Sequence, residues 1–218
     1  MDLDLRDTPE TNPRTLALAR GAAALGIALS HQQLARLLGF LDLLARWNRR
    51  FNLTAIRDPM AMVSHHVLDS LAVAPYLQGE SILDLGTGAG LPGLPLAIAE
   101  PSRRFWLLDS NGRKVRFVRQ AVLDLGLTNV EPVQSRIESY RPGRKFSTIV
   151  TRAVASTPEL HAQTVPLLAS PGLLLVMKGR YPGEELAHPA LAALDLAIRS
   201  LNVPLLDGER HLIEIRRD

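Results

Sequence analysis

The chain has 218 residues, of which 46% are hydrophobic and 22% charged, and its formal net charge at pH 7 is +3. This length and balance are typical of one globular unit and exclude a disordered polymer, a collagen-like fibre or a pure coiled coil. Cysteine is absent, which excludes disulfides, cysteine-based metal centres and catalysis through a thiolate.

Helical patterns occupy the first eighty residues. The first predicted helix spans about residues 14–25, and a second begins with the capping-box spacing of Ser30 and Gln33, after which leucines recur at helical intervals. An Asp-Pro pair then predicts the start of a third helix over about residues 59–74. We therefore predict a helical N-terminal extension over residues 1–78, packed on the core that follows.

From residue 79 onward the pattern is that of an α/β domain, predicted over residues 79–218. Short apolar runs rich in branched or aromatic residues alternate with helical patterns or glycine turns, and they read SILDLG, FWLLD, VEPVQS, FSTIVTRA and GLLLVMKG. Strands that alternate with helices predict an open, mostly parallel, Rossmann-like sheet. Helices are expected over about 158–169 and 184–200, and a last strand over 211–215 is expected to be antiparallel at the edge.

The first predicted strand leads directly into a glycine-rich loop, DLGTGAG. Alternating glycines at a strand-to-helix turn let the backbone approach a ligand and present N–H groups to it. Gly88, Gly90 and Gly93 also satisfy the dinucleotide fingerprint, which is a weak signal by itself. Asp84 would repel a pyrophosphate but hold an α-ammonium group, which favours S-adenosylmethionine over a nicotinamide cofactor. We therefore predict cofactor contacts at Asp84 and Gly88, with Asp109 on a ribose diol.

Basic residues are concentrated in two parts of the chain. Segment 103–119 carries six positive charges against the single carboxylate of Asp109, and a second cluster lies around Trp47 and Phe51. Basic patches interleaved with aromatic residues are typical of surfaces that bind a phosphate backbone. We therefore predict RNA contacts at Arg46, Arg49, Arg50, Arg113, Lys114 and Arg116. Lys178 is a further predicted RNA contact, because it ends the fifth predicted strand, where substrate should enter an open α/β site.

Seven motifs occur in a fixed order between about residues 46 and 180: WNRRFNLTAI, VSHHVLDSL, LDLGTGAGLPGLPLAI, LLDSNGRKVRFVRQ, EPVQSRIE, TRAVAS and VMKG. Together they resemble the bacterial family of 16S ribosomal RNA guanine-N7 methyltransferases, also known as glucose-inhibited division protein B. The resemblance implies a class I methyltransferase fold, S-adenosylmethionine as cofactor, and 16S RNA or the small ribosomal subunit as partner. It also implies cofactor contacts at Gly86, Leu91, Asp109, Ser110, Asn111, Ile137, Glu138 and Arg152.

Methylation at guanine N7 makes few demands on acid–base chemistry. The N7 lone pair is already available, so we predict positioning alone, with no acid–base catalytic residue and no metal. The fourth strand ends in Thr151-Arg152-Ala153, not in the Asn/Asp-Pro-Pro-aromatic motif of exocyclic-amine methyltransferases. His65 and His66 have no third ligand at a metal-binding spacing. We expect one of them to pack inside the third helix and the other to face solvent.

Three other functions stay open from the residues. The first is a methyltransferase that acts on another RNA or a protein, the second a nicotinamide-dependent oxidoreductase, and the third an RNA-binding module with a vestigial pocket. The last is disfavoured by the presence of all the loop glycines together with both aspartates. Because no run of about 18 apolar residues is present and the first ten residues are acidic, we expect a cytoplasmic protein without a membrane partner.

Overall fold

The computed structural model describes residues 12–152 and 155–218, so the first eleven residues of the predicted extension lie outside the described part. The first two helices, α1 (Pro13–Ala24) and α2 (His31–Phe51), lie where the sequence predicts them. The capping box of α2 is formed: the Gln33 N–H donates to Ser30 Oγ over 3.2 Å, and the Ser30 N–H donates to Gln33 Oε1 over 2.8 Å. Each contact satisfies a backbone donor that the first helical turn leaves free.

The third predicted helix begins at the expected proline but is not a regular α-helix. It consists of α3 (Pro59–Met62), a π-helical turn (Val63–Leu68) and α4 (Asp69–Leu71). The Asp58 carboxylate caps it by accepting from the Ala61 N–H over 2.6 Å. A π-helical turn widens the helix locally and is frequent at functional sites. This turn contains both histidines of the predicted pair.

A seven-stranded sheet forms the centre of the molecule. Its strands are β1 (Ser81–Leu85), β2 (Arg104–Asp109), β3 (Val130–Gln134), β4 (Phe146–Arg152), β5 (Leu168–Lys178), β6 (Leu196–Ser200) and β7 (His211–Arg217). They are arranged in the order β3-β2-β1-β4-β5-β7-β6; β1 to β5 are parallel, and β7 runs antiparallel to both of its neighbours, β5 and β6. The chain reverses its direction of travel across the sheet between β1 and β4, where open α/β sheets bind their ligands.

Helices cover both faces of this sheet. The remaining ones are α5 (Gly93–Ala99), α6 (Gly112–Asp124), α7 (Thr157–Thr164) and α8 (Gly183–Leu186). One buried cluster joins α1, α2 and the π-helical turn to α5, α6 and one sheet face, and it includes Phe40 and Phe117, whose ring centroids are 6.3 Å apart. A second cluster, with Trp106 and Phe146, covers the other face. The described N-terminal helices thus share a core with the sheet, while the division of the chain at residue 78 stays a prediction.

Two predicted helices near the carboxyl end are wrong in extent or type. The helix expected over 158–169 ends at Thr164, because Pro166 cannot continue it and β5 begins at Leu168. The helix expected over 184–200 is replaced by the short α8, a 3-10 turn beginning at Pro189, and the edge strand β6. Leu196 and Ile198 of that strand lie opposite isoleucines of β7, so cross-strand packing overrides the helical pattern.

Candidate active site

The glycine loop turns sharply between β1 and α5. Gly86, Gly88 and Gly90 have φ angles of 71°, 58° and 81°, in the left-handed region where other residues are strained. The N–H groups of Gly86 and Thr87 donate to the Leu108 carbonyl over 2.8 and 3.0 Å, which holds the loop against the end of β2. The loop therefore exposes backbone to the space beyond the strand ends.

Asp84 is placed differently from the prediction. Its side chain is fully buried beneath the loop, where Oδ2 accepts from Thr87 Oγ1 over 2.6 Å and from the Gly93 N–H over 2.8 Å. Burial raises the pKa of Asp84 to about 6, and the hydrogen bonds from Thr87 and Gly93 oppose that rise. The carboxylate thus braces the loop from below through Oδ2, and its contact with a cofactor ammonium group stays a prediction.

Asp109 stands at the carboxyl end of β2 and is fixed by two backbone donors. Its Oδ2 accepts from the Gly88 N–H over 2.9 Å, and its Oδ1 accepts from the Asn111 N–H over 2.8 Å. Lys114 Nζ lies 3.9 Å from Oδ2. The Asn111 side chain turns away to cap α6 by accepting from the Arg113 N–H over 2.9 Å. Asp109 is therefore oriented toward the ligand space, while Asn111 supports the turn.

A cavity of about 620 Å³ opens at these strand ends, and we call it the first cavity. Of the ten predicted cofactor residues, the eight that line it are Gly86, Gly88, Leu91, Asp109, Ser110, Ile137, Glu138 and Arg152. The other two, Asp84 and Asn111, stand behind its wall. Apolar side chains at Leu91 and Ile137 can cover a flat ring, and the carboxylates can accept hydrogen bonds from hydroxyl groups. The residues present fit a nucleoside ligand.

One wall of the first cavity is built by a network around His66. His66 Nε2 lies 2.9 Å from Thr54 Oγ1, and the Asn48 side chain holds Thr54 by two hydrogen bonds of 2.9 Å to its backbone. Burial and, to a smaller extent, the positive charge of Arg152 together lower the pKa of His66 to about 4. His66 packs inside the helix as expected, but His65 is half-buried rather than facing solvent.

A second cavity, of about 390 Å³, lies on the far side of this wall. The two cavities share Thr54, His66 and Arg152. Asp69 also lines the second cavity, and its carboxylate, 5% exposed, lies 3.4 Å from Arg152 Nη1 and 2.8 Å from Arg210 Nε. The sequence reasoning missed Asp69 and Arg210. No spacing signal could have found them, since 141 positions separate these two residues.

The predicted RNA contacts lie in three different surroundings. Those exposed on α2 and α6 are Arg46, Arg49, Arg50, Arg113 and Arg116. The ring centroids of Trp47 and Phe117 are 5.6 Å apart, which joins these two helices and brings both clusters onto neighbouring elements. Lys114 lines the first cavity.

Lys178, the remaining predicted RNA contact, forms an ion pair. Its Nζ lies 2.7 Å from Glu185 Oε2, and its side chain is 14% exposed. Burial tends to raise the pKa of Glu185, but hydrogen bonds from Lys178 and Thr157 outweigh it and hold the pKa below its usual range. Lys178 lines the second cavity as part of this ion pair.

Residues 12–152 and 155–218 contain no group of three or more histidine, aspartate or glutamate side chains that could hold a metal ion. Among the helices of this part, none combines the length and apolar character needed to cross a membrane.

Known proteins are similar to this chain over most of its length. The family model for rRNA small subunit methyltransferase G matches residues 33–213. The chain is 50% identical to ribosomal RNA small subunit methyltransferase G of Methylococcus capsulatus over 91% of this chain and 97% of that protein. It is also 50% identical to the protein of the same name from Ectopseudomonas mendocina, over 92% and 94% of the two chains.

Solved structures of low sequence identity share the fold. The O-methyltransferase TomG of Streptomyces achromogenes, in complex with S-adenosylmethionine, matches with a TM-score of 0.57 and 15% identity, covering 94% of this chain and 99% of that one. An S-adenosylmethionine-dependent methyltransferase from Aquifex aeolicus matches with a TM-score of 0.54 and 17% identity, covering 74% and 94%. These similarities establish the class I, Rossmann-like fold that the sequence predicted.

Proposed function

Because the chain belongs to the rRNA small subunit methyltransferase G family, we propose that it transfers a methyl group from S-adenosylmethionine to N7 of a guanosine in 16S ribosomal RNA. The observation that carries this proposal is the first cavity, which gathers eight predicted cofactor residues from the carboxyl ends of four parallel strands and the loops that follow them. Small-subunit RNA is a cytoplasmic substrate, and the proposal therefore implies a cytoplasmic protein.

The residues of the first cavity suit the parts of the cofactor. We assign the ribose hydroxyls to Asp109, which lines the first cavity and whose carboxylate is held by the N–H groups of Gly88 and Asn111. A carboxylate can accept further hydrogen bonds beyond these two. Leu91 and Ile137 would cover the adenine ring. Gly88 has no side chain, so the cofactor can approach its backbone closely. A Cβ atom added at Gly88 would lie 3.9 Å from the nearest atom outside its chain neighbours, the Gly86 carbonyl oxygen.

The chemistry requires alignment more than proton transfer. S-adenosylmethionine supplies a methyl group on a positively charged sulfur. The N7 lone pair forms the new N–C bond, the electron pair of the S–C bond stays on sulfur, and the positive charge passes to the purine. No proton is taken from N7, so the protein needs no general base. Holding the two reactants in line is worth about 7–11 kcal/mol in favourable cases.

The exposed arginines of α2 and α6 extend the site into a surface for the RNA backbone. Phosphate contacts give affinity and orientation without reading the sequence. The surface defined by Arg46, Arg49, Arg50, Arg113 and Arg116 is our proposed RNA surface. Ribosomal RNA, free or in the small subunit, is the proposed partner.

The experiment is transfer of a labelled methyl group to 16S RNA taken from cells that lack the protein, followed by digestion to nucleosides. We expect the label in N7-methylguanosine, and much less with Asp109→Ala. Asp124→Ala is the matched control, because Asp124 is a carboxylate hydrogen-bonded to Gln120 and far from the first cavity. Label in another nucleoside would contradict guanine N7 as the acceptor. With small subunits as the substrate, label in protein would contradict RNA as the acceptor.

A further inference from the structure

The second cavity has the position that an acceptor base requires. It begins where the first cavity ends, at Thr54, His66 and Arg152, and it continues to the end of β5 at Lys178. An RNA base that reacts with a buried methyl group must leave its stack and enter a pocket. A pocket that adjoins the cofactor space across one wall places an unstacked base and the methyl group face to face.

We propose that the second cavity receives the acceptor guanine and that the guanidinium of Arg152 recognises its O6 carbonyl. The inference rests on the proposed function, and it assigns the substrate side of the same site. In guanine, N7 and O6 are neighbouring acceptors on one edge. A guanine that points N7 through the junction toward the methyl group therefore brings O6 to the junction as well, where Arg152 stands.

Arg152 has the chemistry to accept guanine and reject adenine. Arginine carries five N–H donors and no acceptor, whereas adenine presents an amino group where guanine presents O6. Within residues 12–152 and 155–218, the hydrogen bonds of Arg152 come from Nη1 alone, which lies 3.4 Å from both Asp69 Oδ2 and the His65 carbonyl. The other N–H groups are left for a ligand.

The neighbouring charged groups are less suited to this role. Lys178 is held by Glu185 at 2.7 and 2.9 Å. Arg210 is held through Nε by Asp69 at 2.8 Å. Asp69 is thus a positioning residue: it fixes two guanidinium groups and offsets part of their charge, which matters because the methylated purine becomes cationic.

The first test fills the second cavity without touching the first. Ala55 is exposed and lines the second cavity only, so Ala55→Trp places a large ring at its entrance. We expect unchanged S-adenosylmethionine affinity by calorimetry, and single-turnover methylation of 16S RNA slowed by about 100-fold, as for a misplaced reactant. Ala192→Trp is the matched control, because Ala192 is also exposed and lines neither cavity.

The second test examines the guanidinium itself. Arg152→Ala should slow methylation of 16S RNA by about 10- to 100-fold, the range for losing a charged hydrogen bond. Added methylguanidinium should restore much of the lost rate in this variant and leave the wild-type rate unchanged. Sodium chloride at equal ionic strength should restore nothing. Arg199→Ala is the control, since Arg199 pairs with Glu214 outside both cavities.

Three outcomes separate the possibilities. Wild-type methylation rates in Ala55→Trp would overturn the assignment of the second cavity. If Arg152→Ala loses as much cofactor affinity as methylation rate, and methylguanidinium does not restore the rate, Arg152 is a cofactor contact. That result would overturn the proposal that Arg152 recognises guanine O6. A wild-type protein that binds S-adenosylmethionine but never forms N7-methylguanosine would instead contradict the proposed function.

Discussion

At Gly88, the backbone conformation and the space for the ligand each favour glycine, for separate reasons. Its φ of 58° disfavours any side chain, and the position lines the first cavity. Gly26 has a similar φ of 76° with open space around it, and it lies far from the site. The pair allows the strain of a left-handed residue to be separated from the effect of an added methyl group on the cofactor.

We expect Gly88→Ala and Gly26→Ala each to lower the free energy of unfolding by about 1–2 kcal/mol, the cost of a left-handed alanine. Only Gly88→Ala should also weaken S-adenosylmethionine affinity, because its methyl group enters the first cavity. Urea unfolding and calorimetry on both variants measure the two effects. Equal cofactor affinity in the two variants would mean that the loop does not contact the cofactor at this point.

His66 gives a residue-scale prediction about pH. Its folded pKa is lowered to about 4, against about 6.5 for an unperturbed histidine. The unfolded chain therefore binds the proton more readily between pH 4 and 6.5, so this residue's contribution to stability rises with pH across that window. The full contribution is of order 3 kcal/mol, from about 1.4 kcal/mol per pKa unit.

The measurement compares wild type with His66→Asn by urea unfolding at several pH values. The difference in unfolding free energy between the two should shift in favour of the wild type from pH 4 to 6.5 and stay constant above. The comparison is needed because Asp84, whose pKa is raised to about 6, contributes stability that falls as pH rises through the same window. A difference independent of pH would mean that His66 is not buried in its neutral form.

Among the elements, α2 and α6 carry the proposed RNA surface, and the aromatic contact between Trp47 and Phe117 holds them together. The structure separates two roles that the sequence combined in one basic cluster. Arg113 and Arg116 are exposed on α6, whereas Lys114 lies 3.9 Å from Asp109 in the wall of the first cavity. A test of RNA binding should therefore leave Lys114 in place.

We expect Arg113→Ala with Arg116→Ala to weaken binding of 16S RNA and to reduce its dependence on salt, with the slope of log affinity against log salt falling by about 1 per lost phosphate contact. Cofactor affinity should stay unchanged. Filter binding over a range of salt concentrations and calorimetry check the two statements. The matched control is Arg199→Ala, which removes an exposed arginine from the edge strand β6. An unchanged salt slope would remove α6 from the RNA surface.

Local signals explain which elements could be predicted from the sequence. The capping box at Ser30 and Gln33, the proline at position 59 and the apolar runs of β1 to β5 act within a few residues, and the structure confirms each. The edge strand β6 depends on pairing with β7, which follows it by more than ten positions. The π-helical turn likewise has no sequence period of its own, so the irregular geometry around His65 and His66 was beyond prediction.

For the whole molecule, the cofactor half of the site was more predictable than the acceptor half. The predicted cofactor residues of the first cavity lie at strand ends or in the loops that directly follow them, so a motif at a strand end already indicates their place. The second cavity joins segments that lie far apart in the chain, from Thr54 through Asp69 to Arg210. Asp84 shows that prediction is also limited in the cofactor half of the site. Its place in the motif was clear, but the direction of its carboxylate depended on packing.

The most direct test of the central claim is mass spectrometry of nucleosides from 16S RNA in a bacterium with and without this protein. We predict that deletion removes one N7-methylguanosine from 16S RNA, and that it is restored by the wild-type chain and by Asp124→Ala but not by Asp109→Ala. An unchanged N7-methylguanosine content after deletion, or full restoration by Asp109→Ala, would contradict the account.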